Sequence, residues 1–472
     1  MKQHRARPVR LERLEDRLAP ALSLFYQAGN LTIRGVPTGE LDVTRVGALP
    51  TLFQVTDNGK FLGNFNVVGD LTVQLAHRPA DVKIDLNAGR IGRNLLLQLG
   101  NGYTGPFAFD NNSVDVFDSA GGGAGRVGGS ITVLGGNARE TVNIGALRTA
   151  PLTVTPLPIR VGADVTFAAR PSAGALPAVG DTLNIDAGTV VGRNVTAVAV
   201  NNVAVGRQGV GLAVTQVGGS VSVAGGNDNS PVSAVLSGVV GRNVSFTGTN
   251  SDDNFTLQET DIGTGGAVGG SVTANLLGAG ALGNTATLGA GQSVGGNATL
   301  TSTGAALDLF TLGGAVAGNL TVQMGNGTNS LMINLADPLA VGGSMTVYGG
   351  NGVNHFGDTV AGAFNPTVGG DLRFFLGNGD NGTLLDPNTI TAQVGGTLLW
   401  RSGNGTNFLQ LGDGVLALSY RANVVFGTGD DTLTVNLNTG SLRGFLDGGA
   451  GSNDLIVTSG SLEPNLTIVR FP

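Results

Sequence analysis

Val341-Gly342-Gly343-Ser344-Met345-Thr346-Val347, followed by Gly349-Gly350-Asn351-Gly352-Val353-Asn354-His355-Phe356, is the first of four successive copies of one pattern. The second is Val368-Gly369-Gly370-Asp371-Leu372-Arg373-Phe374 with Gly377-Asn378-Gly379-Asp380-Asn381. The third is Val394-Gly395-Gly396-Thr397-Leu398-Leu399-Trp400 with Gly403-Asn404-Gly405-Thr406-Asn407. A fourth blurs its opening to Tyr420-Arg421-Ala422-Asn423-Val424-Val425-Phe426 but keeps Gly427-Thr428-Gly429-Asp430-Asp431-Thr432-Leu433. Outward from this stretch, an opener of the form Val-Gly-(Gly/Arg/Ala)-(Asn/Ser/Asp/Thr)-apolar-x-apolar recurs along the chain. It begins at Val68 (one residue short), Ile91, Val127, Val161, Val191, Val217, Val240, Val268, Val294, Val316, Val341, Val368 and Val394. From Val191 onward the openers lie 22–28 residues apart. Three longer early gaps predict loop insertions, such as 118–125 and 171–178, and faded copies continue near Tyr420, Leu442 and Leu462.

Short alternating apolar runs between glycine turns, repeated at this period with no helical periodicity, define an all-β chain. The expected fold is a single-stranded parallel β-helix (β-solenoid) with about 25 residues per coil. Each coil holds an opener strand such as Leu398-Leu399-Trp400, a Gly-Asn-Gly turn, a second strand such as Phe408-Leu409-Gln410-Leu411, and a variable return. Propeller blades need about 40 residues, and leucine-rich repeats need a leucine and asparagine grammar this chain lacks. About sixteen coils at ~4.8 Å each make a rod on the order of 75 Å long.

Composition agrees with a packed, non-helical body. Glycine supplies 80 of 472 residues, and 41% of the chain is hydrophobic. Charge and aromatics are sparse, at 12% and 5%, so disorder through polarity is excluded. The chain has no cysteine, which removes disulfides, thiol catalysis and Cys-ligated zinc. Its histidines, His4, His77 and His355, are far apart, and no apolar run reaches the length of a membrane-spanning helix. Residues 1–20 carry six Lys/Arg against three acids, and the remainder has 20 basic and 30 acidic residues. A body with a net charge of −10 and no basic stripe argues against a nucleic-acid partner.

Three regions follow. Residues 1–21 form a basic leader segment, in which Leu11, Leu14 and Leu18 at helical spacing predict a short amphipathic turn ended by Pro20. The run Leu11-Glu12-Arg13-Leu14-Glu15-Asp16-Arg17-Leu18-Ala19-Pro20-Ala21 resembles the LExLEDRxxPA leader that opens many large, repetitive planctomycete surface proteins. That resemblance implies export to the cell envelope or surface, and envelope or extracellular matrix components, polysaccharide among them, as partners. Residues 22–67 read as an N-terminal capping β region, with Asp57-Asn58-Gly59-Lys60 as a hairpin turn. Residues 68–472 are the β-helix repeats.

Asn329, Asn354, Asn381, Asn407, Asp431 and Asn453 occupy one place in successive turns and predict a ladder of stacked amides. The turns are also similar to RTX repeats, Gly-Gly-x-Gly-x-Asp-x-apolar-x, whose aspartates bind Ca²⁺. Residues 426–434 match this well, and 448–456 match with the acid displaced by one place. The resemblance implies calcium at Asp430, Asp431 and Asp454. In the other turns the decisive aspartate is asparagine, a far poorer Ca²⁺ ligand, so no further cofactor is expected.

Parallel β-helices also host polysaccharide hydrolases and lyases, whose sites gather acids with Lys or Arg on one face. Adjacent acids occur here at Asp252-Asp253 and Asp430-Asp431, without the Gly-His-Gly or Arg-Ile-Lys segments of pectinase-like hydrolases. His77 reads as a loop residue, His355 as a solvated turn residue, and Asp252-Asp253 as one more turn of the series. The chain therefore reads as a non-enzymatic structural or adhesive β-solenoid. The alternatives are a carbohydrate-active or carbohydrate-binding β-helix with its site between Ile91 and Val191, and a calcium-stabilised RTX-like solenoid. A groove gathering three or more acids with a basic residue on one face would favour the enzyme.

Overall fold

The computed structural model describes residues 22–76, 81–100, 111–136, 139–150, 153–169, 180–207, 215–226, 231–258, 266–278, 283–305, 307–358 and 362–471. The leader, His77 and the expected 171–178 loop lie outside them. Most strands are short, with Thr432–Asp447 the long exception at 16 residues; no helix occurs among the described residues, and the strands stack in long parallel sheets. The fold is a β-solenoid.

Each coil has three faces. Met345–Tyr348, Leu372–Phe375 and Thr397–Arg401 pair in parallel on the first face, in register with Leu320–Gln323 before them. Asn329–Ile333 and Asn354–Asp358 belong to the second face, a 14-stranded sheet. The third face is built from two-residue strands, Ala340–Val341, Thr367–Val368 and Gln393–Val394 among its twelve. The opener is thus divided. Its valine ends the third face, the glycines turn the corner, and the alternating residues begin the first face. A two-residue strand carries no alternation, which is why the sequence pattern alone shows two strands per coil rather than three.

Parallel neighbours need a long crossover, and here the coil itself is the crossover, so equivalent residues land on one another. Val341, Val368 and Val394 are in direct register, as are Met345, Leu372 and Leu398. Inward positions from all three faces fuse into one continuous core from Leu31 to Leu446. Toward the C-terminal end this core is aromatic. Phe356, Phe364, Phe374 and Trp400 are fully buried, with ring centroids 5.0–6.2 Å apart.

The first opener glycine answers a steric need. A Cβ on Gly369 would stand 2.4 Å from the Gly342 carbonyl oxygen, and one on Gly395 2.3 Å from that of Gly369. Ala317 occupies the same place and exposes its methyl, so a single coil tolerates the intrusion.

The first repeat starts one residue earlier than the sequence suggests. Val67 is buried and accepts the Gly92 N–H, whereas Val68 is 51% exposed and stands where later coils have glycine. No residue is missing from that copy. Stacking begins earlier still, within 22–67. Leu31–Gly35 pairs in parallel with Leu71–Leu75, and Leu41–Thr44 with Val82–Asp85. Over this first coil lie antiparallel strands, Ser23–Gln27 on one side and Leu52–Asp57 with Lys60–Asn66 on the other. Asn58 and Gly59 have φ of 50° and 74°, as a two-residue hairpin turn requires. The 118–125 insertion is a loop gathered by Asp118, which accepts N–H bonds from Ala88, Ala120 and Gly125. The next gap holds an antiparallel hairpin, Ala146–Ala150 with Thr153–Pro156.

Candidate functional site

The corner entering the second face carries a row of buried polar groups. Asn329 Nδ2 donates to Asn354 Oδ1 at 2.9 Å, Asn354 to Asn381 at 2.7 Å, Asn381 to Asn407 at 2.6 Å, and Asn407 to Asp431 at 2.6 Å. The expected amide ladder therefore exists, and it runs in one direction. Strand register extends the row backward through Asp308, Asn284, Asp253, Val232, Asn201, Asp181 and Glu140 to Asn112. All fourteen positions, ending at Asn453, are buried, and only Val232 is apolar. Sequence spacing found the last six. The earlier ones are shifted by insertions and vary between acid and amide, so their signal was their place just before each second-face strand.

A second row runs along the corner between the third and first faces. There each side-chain oxygen accepts the backbone N–H of the equivalent residue one coil on. Asn30, Asp70, Asn94, Ser130, Asp164, Asn194, Ser220, Asn243, Ser271, Asn297, Asn319, Ser344 and Asp371 all do so, the last to Thr397. This explains why the fourth opener position accepts Asn, Ser, Asp or Thr: each offers an oxygen on a short arm.

Several row members are carboxyls held in unusual states. Burial first, then Asp181, pushes Glu140 up to about 9, so it is protonated at neutral pH and can donate as an amide would. Burial raises Asp253 to about 6, opposed by four backbone N–H groups, from Thr249, Val232, Leu277 and Gly278. Burial also raises Asp431, opposed by the Asn407 bonds.

These geometries bear directly on calcium. Asp431 is 1% exposed; its Oδ1 takes both Asn407 bonds, and its Oδ2 is buried without a partner. Asp430 is exposed and accepts the Ser452 N–H, and Asp454 is exposed on the next coil. Ca²⁺ takes six to eight oxygens. Among the described residues, no group of three or more His, Asp or Glu is placed to hold a metal. The residues present do not fit an RTX-type site.

An expected result follows for Asp431→Asn. The new amide would replace a buried, unpaired carboxylate oxygen with a donor facing Asn453 Oδ1, which already accepts the residue 431 N–H. The folded-state pKa of Asp431 is raised above the ordinary 3.8. Ionisation therefore disfavours the fold as pH rises through and beyond that value, and the variant escapes the penalty. We expect a gain of about 1–2 kcal/mol at pH 7 that vanishes near pH 3, read by denaturant unfolding at both pH values. An equal gain at both would show that charge is not the cause.

Asp253 sits in the corner row, and Asp252 beside it accepts the Gly283 N–H, as the turn series predicts. His355 is not in the turn. It points outward from Asn354–Asp358, with Nδ1 3.7 Å from Asp386 Oδ2.

One cluster has the composition of a catalytic site. On the outward side of the second face, Asp42, Lys83 and Asp115 stack in register. Lys83 Nζ lies 2.5 Å from Glu40 Oε2, and Asp81 also feels both charges. Burial first, then Glu40, raises Asp42 and Asp81. Burial lowers Lys83, but Glu40, Asp42 and Asp115 outweigh it and hold the ammonium charged. This gathers four acids around one lysine, mostly before the 91–191 region where such a site was expected. Asp115 is 2% exposed.

Compared with family models, curated proteins and solved structures, the chain has no significant match to any of the three. Among the described residues, no helix is long and apolar enough to cross a membrane.

Proposed function

We propose that the chain is a non-enzymatic, exported β-solenoid that serves as a structural or adhesive element of the cell envelope. The observation that supports this is the direction of its polar bonds. Two rows of side chains, one along each of two corners, bond from coil to coil along the axis. Polar residues used this way build length and rigidity, and a stacked rod gains reach with each added unit. The leader resemblance supports export. Fractionation of native cells tests the reading: the intact chain should appear in the envelope or medium, and a purely cytosolic pool would overturn it.

The Lys83 cluster favours a second reading, a carbohydrate-active β-helix. Incubation with a panel of polysaccharides should release no new reducing or unsaturated ends. Release that disappears in Lys83→Met and Asp42→Asn would replace the structural reading with the enzymatic one.

A further inference from the structure

Arg90, Arg126 and Arg160 lie directly above one another on the third face. Arg90 pairs with Arg126 and Arg126 with Arg160 in the parallel register, each beside a buried Ile91, Val127 or Val161. All three are exposed. Rungs of a sheet are ~4.8 Å apart, and like charges directly opposite on neighbouring strands are destabilising. Among the described residues none of the three guanidinium groups has an ion-pair or hydrogen-bond partner. Nearby carboxylates are engaged elsewhere: Asp70 with Asn94, Asp164 with Asn194, and Asp118 with its own loop.

The arrangement is local. The same row continues as Val190, Gln216, Val239, Ala267, Ser293, Ala315, Ala340, Thr367 and Gln393, without another charge. Residues on either side leave the strip open, since Gly89 and Gly125 precede two of the arginines and Gly129 and Ala163 follow. Arg93 adds a fourth exposed cation in the first of these coils. In a chain of net charge −7, three stacked cations without counter-ions are a feature that only an external anion relieves.

We propose that Arg90, Arg126 and Arg160 form a binding strip for an acidic polysaccharide lying along the axis of the rod. This rests on the adhesive reading above and names its ligand class. A linear polymer with one carboxylate per sugar offers repeated anions along its length, so several of them can meet the guanidinium groups that repeat along the strip. Arginine's planar fork suits carboxylates bidentately. Nucleic acid fits less well. The strip carries no aromatic side chain on which bases stack, and the acidic remainder of the chain repels a dense phosphate backbone.

The test uses the full chain with polygalacturonate as the probe, neutral dextran as the control, and single-stranded DNA as the competing polyanion. Native protein should bind polygalacturonate, with affinity falling as salt rises. Arg90→Gln/Arg126→Gln/Arg160→Gln together should weaken binding by about tenfold or more while melting no lower than the native chain. The matching triple Arg→Lys variant should retain most of the binding. Absence of binding by the folded native chain, equal binding by the triple Gln variant, or preference for DNA would each overturn the proposal. Fractionation is independent of all three outcomes. An envelope-located chain that ignores polygalacturonate sinks only the strip, and a cytosolic chain that binds it sinks only the location.

Discussion

Trp400→Ala is expected to destabilise the C-terminal coils by about 4 kcal/mol, the loss typical of a large aromatic removed from a packed core. Trp400 is fully buried and meets Phe356 edge-on at 5.9 Å and Phe374 at 5.1 Å. Those rings belong to the two preceding coils, so the cavity would open between units rather than inside one. Trp400→Phe should cost far less. It keeps most of the ring contacts and removes an indole N–H that is buried without an acceptor. Circular dichroism during denaturant unfolding is the suitable probe, because Trp400 is the chain's one tryptophan and its fluorescence leaves with it. A Phe variant as damaged as the Ala variant would mean that the indole itself is required.

Asn381→Leu should cost about 3 kcal/mol, although it adds apolar bulk in a buried place. Asn381 accepts from Asn354 and donates to Asn407 and to the Gly379 carbonyl. Leucine would leave the Asn407 amide oxygen buried without its donor and take from the Asn354 amide its shortest bond, leaving it only the Gly350 and Gly352 carbonyls. Because the amide bonds join each coil to the next one only, the damage should concentrate at this junction. Unfolding of the variant should separate into two transitions, with coils beyond Asn381 lost first, and hydrogen exchange should place the earlier opening after residue 381. A single transition shifted as a whole would show that coupling along the rod is carried by the apolar core and not by the amides.

How much of this was legible in the sequence depends on whether a feature repeats in place. The coil, its period, the core valines and the amide run from Asn329 to Asn453 were readable because insertions are few after Val191. The third face was not, because a strand of two residues has no pattern to read. The first coil, within residues 22–67, hid for a different reason: Asn30-Leu31-Thr32-Ile33 is an ordinary opener core, but no valine and glycine pair precedes it to announce it. The Lys83 cluster was invisible because its members come from three coils whose spacing nothing local fixes. Asp431 shows the limit of motif matching. Its turn resembles a calcium-binding repeat well, with Phe426 in place of the first glycine, yet the side chain faces inward and is held by the amide of Asn407.

The one-way donation along the corner row sets a rule for how such a chain can lengthen. Two runs of amides point toward the C-terminus and stop at an acid: Asn284 at Asp308, and Asn329 through Asn407 at Asp431. Beyond Asp308, the Asn329 Oδ1 is buried and receives nothing. Duplicating an asparagine-bearing coil inside a run preserves every donor and acceptor, since the copy takes from one neighbour and gives to the next. Duplicating an aspartate-bearing coil leaves the second copy with no donor from the first. Growth by gene duplication is thus permitted at amide coils and penalised at acid coils, and the three closely similar units that carry Asn354, Asn381 and Asn407 stand where copying is cheapest.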